Sequence, residues 1–147
     1  VGFTWGAVLA SGNAASGMTA GAHGSTYGGN PLACAVGCAV MEIVANPAFL
    51  AEVNRKAGLL RQKLEGLVAA HPDVFVAVRG SGLMLGLKCK ATNTDIVKAG
   101  YDQGVLTVPA ADNVIRLLPP LTITDEEIGQ AVARLDAAAL QMQREAA

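Results

Sequence analysis

An α+β fold, with helices packed on a small sheet, is what this sequence predicts. Three observations carry it. From about Pro31 onward the periodicity runs helix, helix, strand, strand, helix, strand, strand, helix. Helix starts are marked by Asn30-Pro31, Asn46-Pro47 and Thr124-Asp125-Glu126-Glu127. The apolar runs between the helices are short and bounded by glycine turns. Residues 1–30 form no comparable closed unit, so the chain divides into 1–30 and 31–147.

The elements follow in order. Gly6–Leu9 reads as a short buried strand, and residues 11–30, rich in Gly, Ser, Asn and Thr, read as loop. Asn30 caps the first long helix, with Pro31 at its first position; Leu32, Val36, Val40, Ile43 and Val44 form its stripe. Small and apolar residues fill the other positions, so this helix is expected to be buried. The second begins at Asn46-Pro47 and carries Phe49, Val53, Leu60, Leu64 and Leu67 on one side. Its other side holds Arg55, Lys56, Arg61, Lys63 and Glu65, and it ends near His71-Pro72. Val74–Val78 and Leu83–Leu87 form a hairpin about the turn Arg79-Gly80-Ser81-Gly82. A short helix over Asp95–Gln103 stops at Gly104, and Val105–Val108 and Val114–Leu118 add two strands. Thr124 and Glu127 make a capping box for the last helix, whose apolar face is Ile128, Val132, Leu135 and Met142.

Composition narrows the function. The 11 basic and 12 acidic side chains leave a net charge of -1, and aromatics are 4%, so neither a phosphate backbone nor bare bases would find a platform here. No apolar run has the roughly 20 residues of a membrane span, and the opening apolar residues lack a positively charged leader. Cys34, Cys38 and Cys89 form no disulfide framework, which points to the cytoplasm. With 52% hydrophobic and 16% charged residues, the chain is expected to cover part of its surface with a partner or with further sequence.

The chemistry centres on His23-Gly24-Ser25-Thr26-Tyr27-Gly28-Gly29-Asn30-Pro31. Ser25 and Thr26 offer hydroxyls, the glycines let backbone amides approach a ligand, and the segment runs into a helix N-terminus, where an anion is favoured. Spacing alone leaves open whether it holds an anion or only connects two elements. Arg116 suits a carboxylate, because its planar fork binds both oxygens; capping a strand end or pairing with Asp or Glu is the alternative. Arg79 competes for that role but reads more readily as part of a turn. His23 and His71 have no partners at metal-ligand spacing, and Cys34 with Cys38 on one buried helix reads as packing, so no metal is expected.

These blocks resemble the class III pyridoxal-phosphate aminotransferases, in the acetylornithine and ornithine branch. The likeness lies in His23–Ala33, in Arg79-Gly80-Ser81-Gly82-Leu83-Met84-Leu85-Gly86 and in Val114-Ile115-Arg116-Leu117-Leu118-Pro119-Pro120-Leu121-Thr122-Ile123, and it spans nearly the whole chain. It implies the C-terminal small domain of a fold-type I enzyme over 31–147, preceded in 1–30 by the last strand and loop of the large α/β domain. It implies pyridoxal 5'-phosphate as cofactor, amino and 2-oxo acids as substrates, and a homodimer. It places Thr26 on the phosphate of the cofactor held by the neighbouring subunit, Ser25 in contact with substrate, and Arg116 on a substrate carboxylate. Gly2-Phe3 and Gly6-Ala7 match the end of the segment that carries the Schiff-base lysine, with Thr4 and Trp5 departing from it. That puts the lysine before Val1, so no catalytic residue is expected in this chain and the chain alone should be inactive. Acetylornithine is the expected amino donor; ornithine, succinylornithine and 4-aminobutyrate enzymes share the blocks, and a non-catalytic phosphate-binding or dimerisation domain remains the other class of reading.

Overall fold

The computed structural model describes residues 6–145. It resolves into two compact units, Val1–Phe49 and Leu50–Ala147. The correspondence drawn from Gly2, Phe3, Thr4 and Trp5 lies outside the described residues.

In the first unit a single helical turn, α1 (Gly12–Ala15), is capped by Ser11, whose hydroxyl accepts from the Ala14 amide at 3.3 Å. The loop then leads to α2 (Pro31–Val44). Asn30 caps α2 as expected: its side-chain oxygen accepts from the Ala33 amide at 3.1 Å, with Pro31 next in line, where a missing N–H costs nothing. Two expectations fail here. Gly6–Leu9 is not a strand; Val8 and Leu9 are 94% and 97% exposed, because an isolated extended segment with no pairing partner has no ladder to hold it. α2 is not buried either, since Leu32, Met41 and Ile43 stay exposed and only Ala33 and Gly37 are buried. An apolar stripe states a need for cover without supplying it.

The second unit holds the core. Most of α3 (Pro47–Ala70) and all of β1 (Phe75–Ser81), β2 (Met84–Cys89), α4 (Asn93–Asp102), β3 (Val108–Ala110), β4 (Val114–Leu117) and α5 (Asp125–Glu145) lie in it. The four strands form one antiparallel sheet in the order β1-β2-β4-β3. Leu60, Leu64 and Leu67 of α3, Ile96 of α4, and Ile128 and Leu135 of α5 pack with Phe75, Leu85, Leu87, Ile115 and Leu117 of the sheet into one cluster. Each such side chain taken out of water contributes about 1.5–3 kcal/mol before entropy is counted. α5 begins at the predicted box: Thr124 Oγ1 accepts from the Glu127 amide at 3.2 Å, and Glu127 accepts from the Thr124 amide at 2.8 Å.

Two strand boundaries move. The first hairpin turns at Gly82-Leu83, not over Arg79–Gly82, because Gly80 and Ser81 stay paired with Leu85 and Met84. Gly82 takes φ +56 at the first position of the two-residue loop, as a type II′ turn needs, and at Gly80 (φ +106) a Cβ would meet Met84 O at 2.2 Å. β3 starts at Val108 rather than Val105, because Gly104 (φ +77) first closes α4 in a Schellman motif, with the Val105 amide bonding Gly100 O at 2.9 Å. Pro109 fits β3 since that strand is the sheet's edge.

The three-residue loop between β3 and β4 is pinned by Asn113. Its amide nitrogen donates to Cys89 O at 2.9 Å and Ala91 O at 2.8 Å, while its oxygen accepts from the Asn93 amide at 2.8 Å. The residue itself sits at φ +49, which Asn tolerates better than most. Asn113→Ala should therefore destabilise the chain by about 2–4 kcal/mol in urea unfolding followed by circular dichroism. A loss below about 1 kcal/mol would show that these bonds do not hold the sheet together.

Candidate functional site

The residues singled out by sequence fall into both units. In the first, Ser25 and Thr26 stand side by side on the exposed loop before α2, and neither hydroxyl has a hydrogen-bond partner among the described residues. The loop folds over Gly28: a Cβ there would meet Ser25 Cβ at 3.1 Å and Oγ at 3.3 Å, so glycine lets the serine side chain lie against the backbone. Gly29, at φ +73, then turns the chain into α2. In the first turn of α2 the Ala33 amide is taken by Asn30, and no partner is found for the Leu32 amide among the described residues. Val1–Met41 contains no Asp, Glu, Lys or Arg. An anion would therefore meet hydroxyls, an open amide and the positive end of a 14-residue helix, with no side-chain cation. That donor set fits the phosphate of pyridoxal phosphate.

In the second unit the sheet has two unlike faces. Leu85, Leu87, Ile115 and Leu117 point into the core; the residues between them point away from it. Arg116 lies on that outer face, exposed, opposite Gly86 on β2 and Val108 on β3. One row across the sheet reads Arg79, Gly86, Arg116, Val108. A Cβ on Gly86 would strike Val114 Cγ1 at 2.6 Å, so glycine in this row makes room for the Val114 side chain.

Sequence reading missed Asp112 and Lys88. Asp112 sits at φ +60 in the β3–β4 loop and pairs with Arg79; Lys88 Nζ reaches the same carboxylate at 2.9 Å and the Asp112 carbonyl at 2.5 Å. Among the described residues Arg116 has no carboxylate partner, which removes the ion-pair alternative for it. A signal was present in the Asp112-Asn113 pair between two short strands, since both residue types tolerate left-handed backbone. Hydrogen bonds from Lys88 and then from Arg79, with their charges, hold the Asp112 carboxyl below the usual carboxylate range. A carboxyl depressed in the folded state stabilises the fold above its unfolded pKa of about 3.9 and loses that contribution as pH falls through the folded value.

Among the described residues no group of three or more His, Cys, Asp and Glu side chains could hold a metal ion. His71 is buried and its Nε2 lies 2.7 Å from Asp136 Oδ1, tying the end of α3 to α5. No single described helix is long and apolar enough to cross a membrane.

Comparison with known proteins decides the family. The sequence model of the aminotransferase class-III family matches residues 1–139. The chain belongs to the class-III aminotransferases. The chain is 64% identical over 146 residues to acetylornithine aminotransferase of Rhodobacter capsulatus, covering 99% of this chain and 37% of that protein. The acetylornithine aminotransferase of Mesorhizobium japonicum is 56% identical over 94% of this chain and 35% of its own length. Among solved structures, acetylornithine aminotransferase of Elizabethkingia anophelis superimposes with a TM-score of 0.78 at 33% identity, over 90% of this chain and 36% of that one. Ornithine delta-aminotransferase of Plasmodium falciparum superimposes with a TM-score of 0.82 at 27% identity, over 93% and 36%. The α+β reading of the sequence agrees with these neighbours. The chain thus spans a little over a third of the length of the relatives it matches.

Titrating the chain by carbonyl-detected NMR should place the Asp112 carboxyl midpoint below about 3.9. Lys88→Met should move it upward. An Asp112 midpoint that ignores the loss of Lys88 would contradict the shared ion pair.

Proposed function

We propose that this chain is part of an acetylornithine aminotransferase, which moves an amino group between N-acetylornithine and 2-oxoglutarate using pyridoxal 5'-phosphate. The observation that carries the reading is the 64% identity to the Rhodobacter capsulatus enzyme over nearly the whole chain. Ornithine is the second reading for the amino donor, favoured by the Plasmodium falciparum superposition; its 27% identity makes it the weaker one.

In this proposal residues 1–30 belong to the large cofactor-binding domain, and 31–147 are a linking helix and the small domain. The bound cofactor would supply the electron sink that makes the proton on the amine-bearing carbon of the substrate removable. The residues of this chain position what reacts. Thr26 donates its hydroxyl to the cofactor phosphate across a homodimer interface, with the Leu32 amide and the α2 dipole beside it. Ser25 contacts the substrate. Arg116 holds a substrate carboxylate with two parallel N–H donors, which sets both position and angle. The free thiols of Cys34, Cys38 and Cys89 accord with a cytoplasmic enzyme. The five lysines, Lys56, Lys63, Lys88, Lys90 and Lys98, lie on α3, on or just after β2 and on α4, and none fits the Schiff-base position of the family's motif. We propose that the chain alone is inactive.

The test is a chimera in which this chain replaces the region it matches in the Rhodobacter capsulatus enzyme. It should convert N-acetylornithine and 2-oxoglutarate; a folded chimera active on ornithine but not on N-acetylornithine would overturn the substrate reading. Within it, Thr26→Val should weaken cofactor affinity by about tenfold or more, as expected for a lost hydrogen bond to a charged group. Arg116→Gln should raise KM for both acids by about 10- to 100-fold while the cofactor stays bound. Unchanged KM values would remove Arg116 from the substrate site. Separately, the chain alone, mixed with pyridoxal phosphate and treated with borohydride, should show no cofactor fixed on one specific lysine by mass; a stoichiometric adduct on a single lysine would contradict its inactivity.

A further inference from the structure

The outer face of the sheet carries three cations, and they are not equivalent. Arg79 and Arg116 flank Gly86 in one row, and since neighbouring strands lie about 4.8 Å apart, their backbones are about 10 Å apart. Gly86 itself puts no side chain between them; the Val114 side chain lies beside its bare backbone, with Cγ1 2.6 Å from where a Cβ would stand. Two long guanidinium side chains at that spacing can reach both ends of one short dicarboxylate. Lys88 stands on the same face, one residue pair along β2, opposite Ala77 and Val114. Left unpaired, the three would form a broad cationic patch that takes any dianion.

Asp112 prevents this. Its carboxylate engages Arg79 and Lys88 together, and its position is fixed by a loop anchored through Asn113 to Cys89 and Ala91. An internal carboxylate held in place competes with any free one at a large effective concentration. Arg79 and Lys88 are thereby occupied, and the Arg116 guanidinium is open.

We propose that Asp112 is a specificity-determining residue of this face: by occupying Arg79 and Lys88 it leaves Arg116 as the single open anchor, so the face takes one carboxylate rather than both ends of a dianion. The inference rests on the reading of Arg116 as a carboxylate binder. It adds that a dicarboxylate such as an oxo diacid must place its second carboxylate away from this face. Asp112 touches no substrate; it acts by setting which cations are free, and is a positioning residue.

The test uses the full chain, labelled for NMR of the arginine side chains and amides, at low ionic strength where exposed ion pairs are least screened. Propionate and glutarate are titrated against wild type, Asp112→Asn and Asp102→Asn. The last removes the same charge from an exposed site on α4. Asn suits φ +60 at least as well as Asp, and Asp112→Gly, also at ease there, is a second version of the same charge removal. The wild type should bind both anions at Arg116 with affinities within about twofold. Asp112→Asn should raise glutarate affinity by about three- to fivefold relative to propionate, the size of one exposed ion pair. New shift changes should appear at Arg79, and adding Arg79→Ala should cancel the gain. An equal gain in Asp102→Asn, or a gain that survives Arg79→Ala, would overturn the proposal. Failure of the underlying reading looks different: propionate binding would be indifferent to Arg116→Gln in every background.

Discussion

The pairing of β2 with β4 is the constraint on which the rest of the second unit depends. Leu85 opposite Leu117 and Leu87 opposite Ile115 fill the core, and this register places Gly86 opposite Arg116 on the other face. A slip of one residue would send Arg116 into the apolar cluster and Ile115 into solvent, which burial makes prohibitive. Hydrophobic packing thereby aims a charged side chain that makes no contribution to the packing. Asn113 guards the same register from the loop side, since its three hydrogen bonds join the loop to Cys89, Ala91 and Asn93.

The two units divide the binding chemistry by kind. The loop with Ser25 and Thr26 lies in a stretch of 41 residues without a formal charge, so in the proposed role it would meet an anion through hydroxyls, an amide and a helix end. Such neutral donors hold an anion by the direction of their N–H and O–H groups rather than by a side-chain charge. The sheet face works oppositely, with three cations in reach and one carboxylate deciding which remain free. Selectivity there comes from subtracting charge. The exposed Val8, Leu9 and Leu32 belong to the uncharged part, and they accord with a chain that spans little more than a third of its relatives' length.

Local signals were legible where the physics is local. Asn30-Pro31 and Thr124 with Glu127 mark helix starts because caps satisfy amides within a few residues. The stripe of Leu60, Leu64 and Leu67 shows in sequence because α3 buries only one side. What depended on a partner was misread. Gly6–Leu9 has strand composition but no strand to pair with, and α2 has an apolar circumference that nothing in composition can say is covered. The site divided in the same way. Thr26, Ser25 and Arg116 stand out through motifs, whereas Asp112 acts through a residue 33 positions away and Lys88 through one 24 away. Contacts across a sheet leave no spacing to read.

The most direct measurement is a crystal structure of the Rhodobacter capsulatus chimera carrying this chain, with pyridoxal phosphate and a substrate carboxylate bound. The expected result has Thr26 Oγ1 within about 3 Å of a phosphate oxygen and Arg116 paired in bidentate fashion with the carboxylate. A phosphate held without Thr26, together with a carboxylate held by arginines other than Arg116, would contradict the assignment of both.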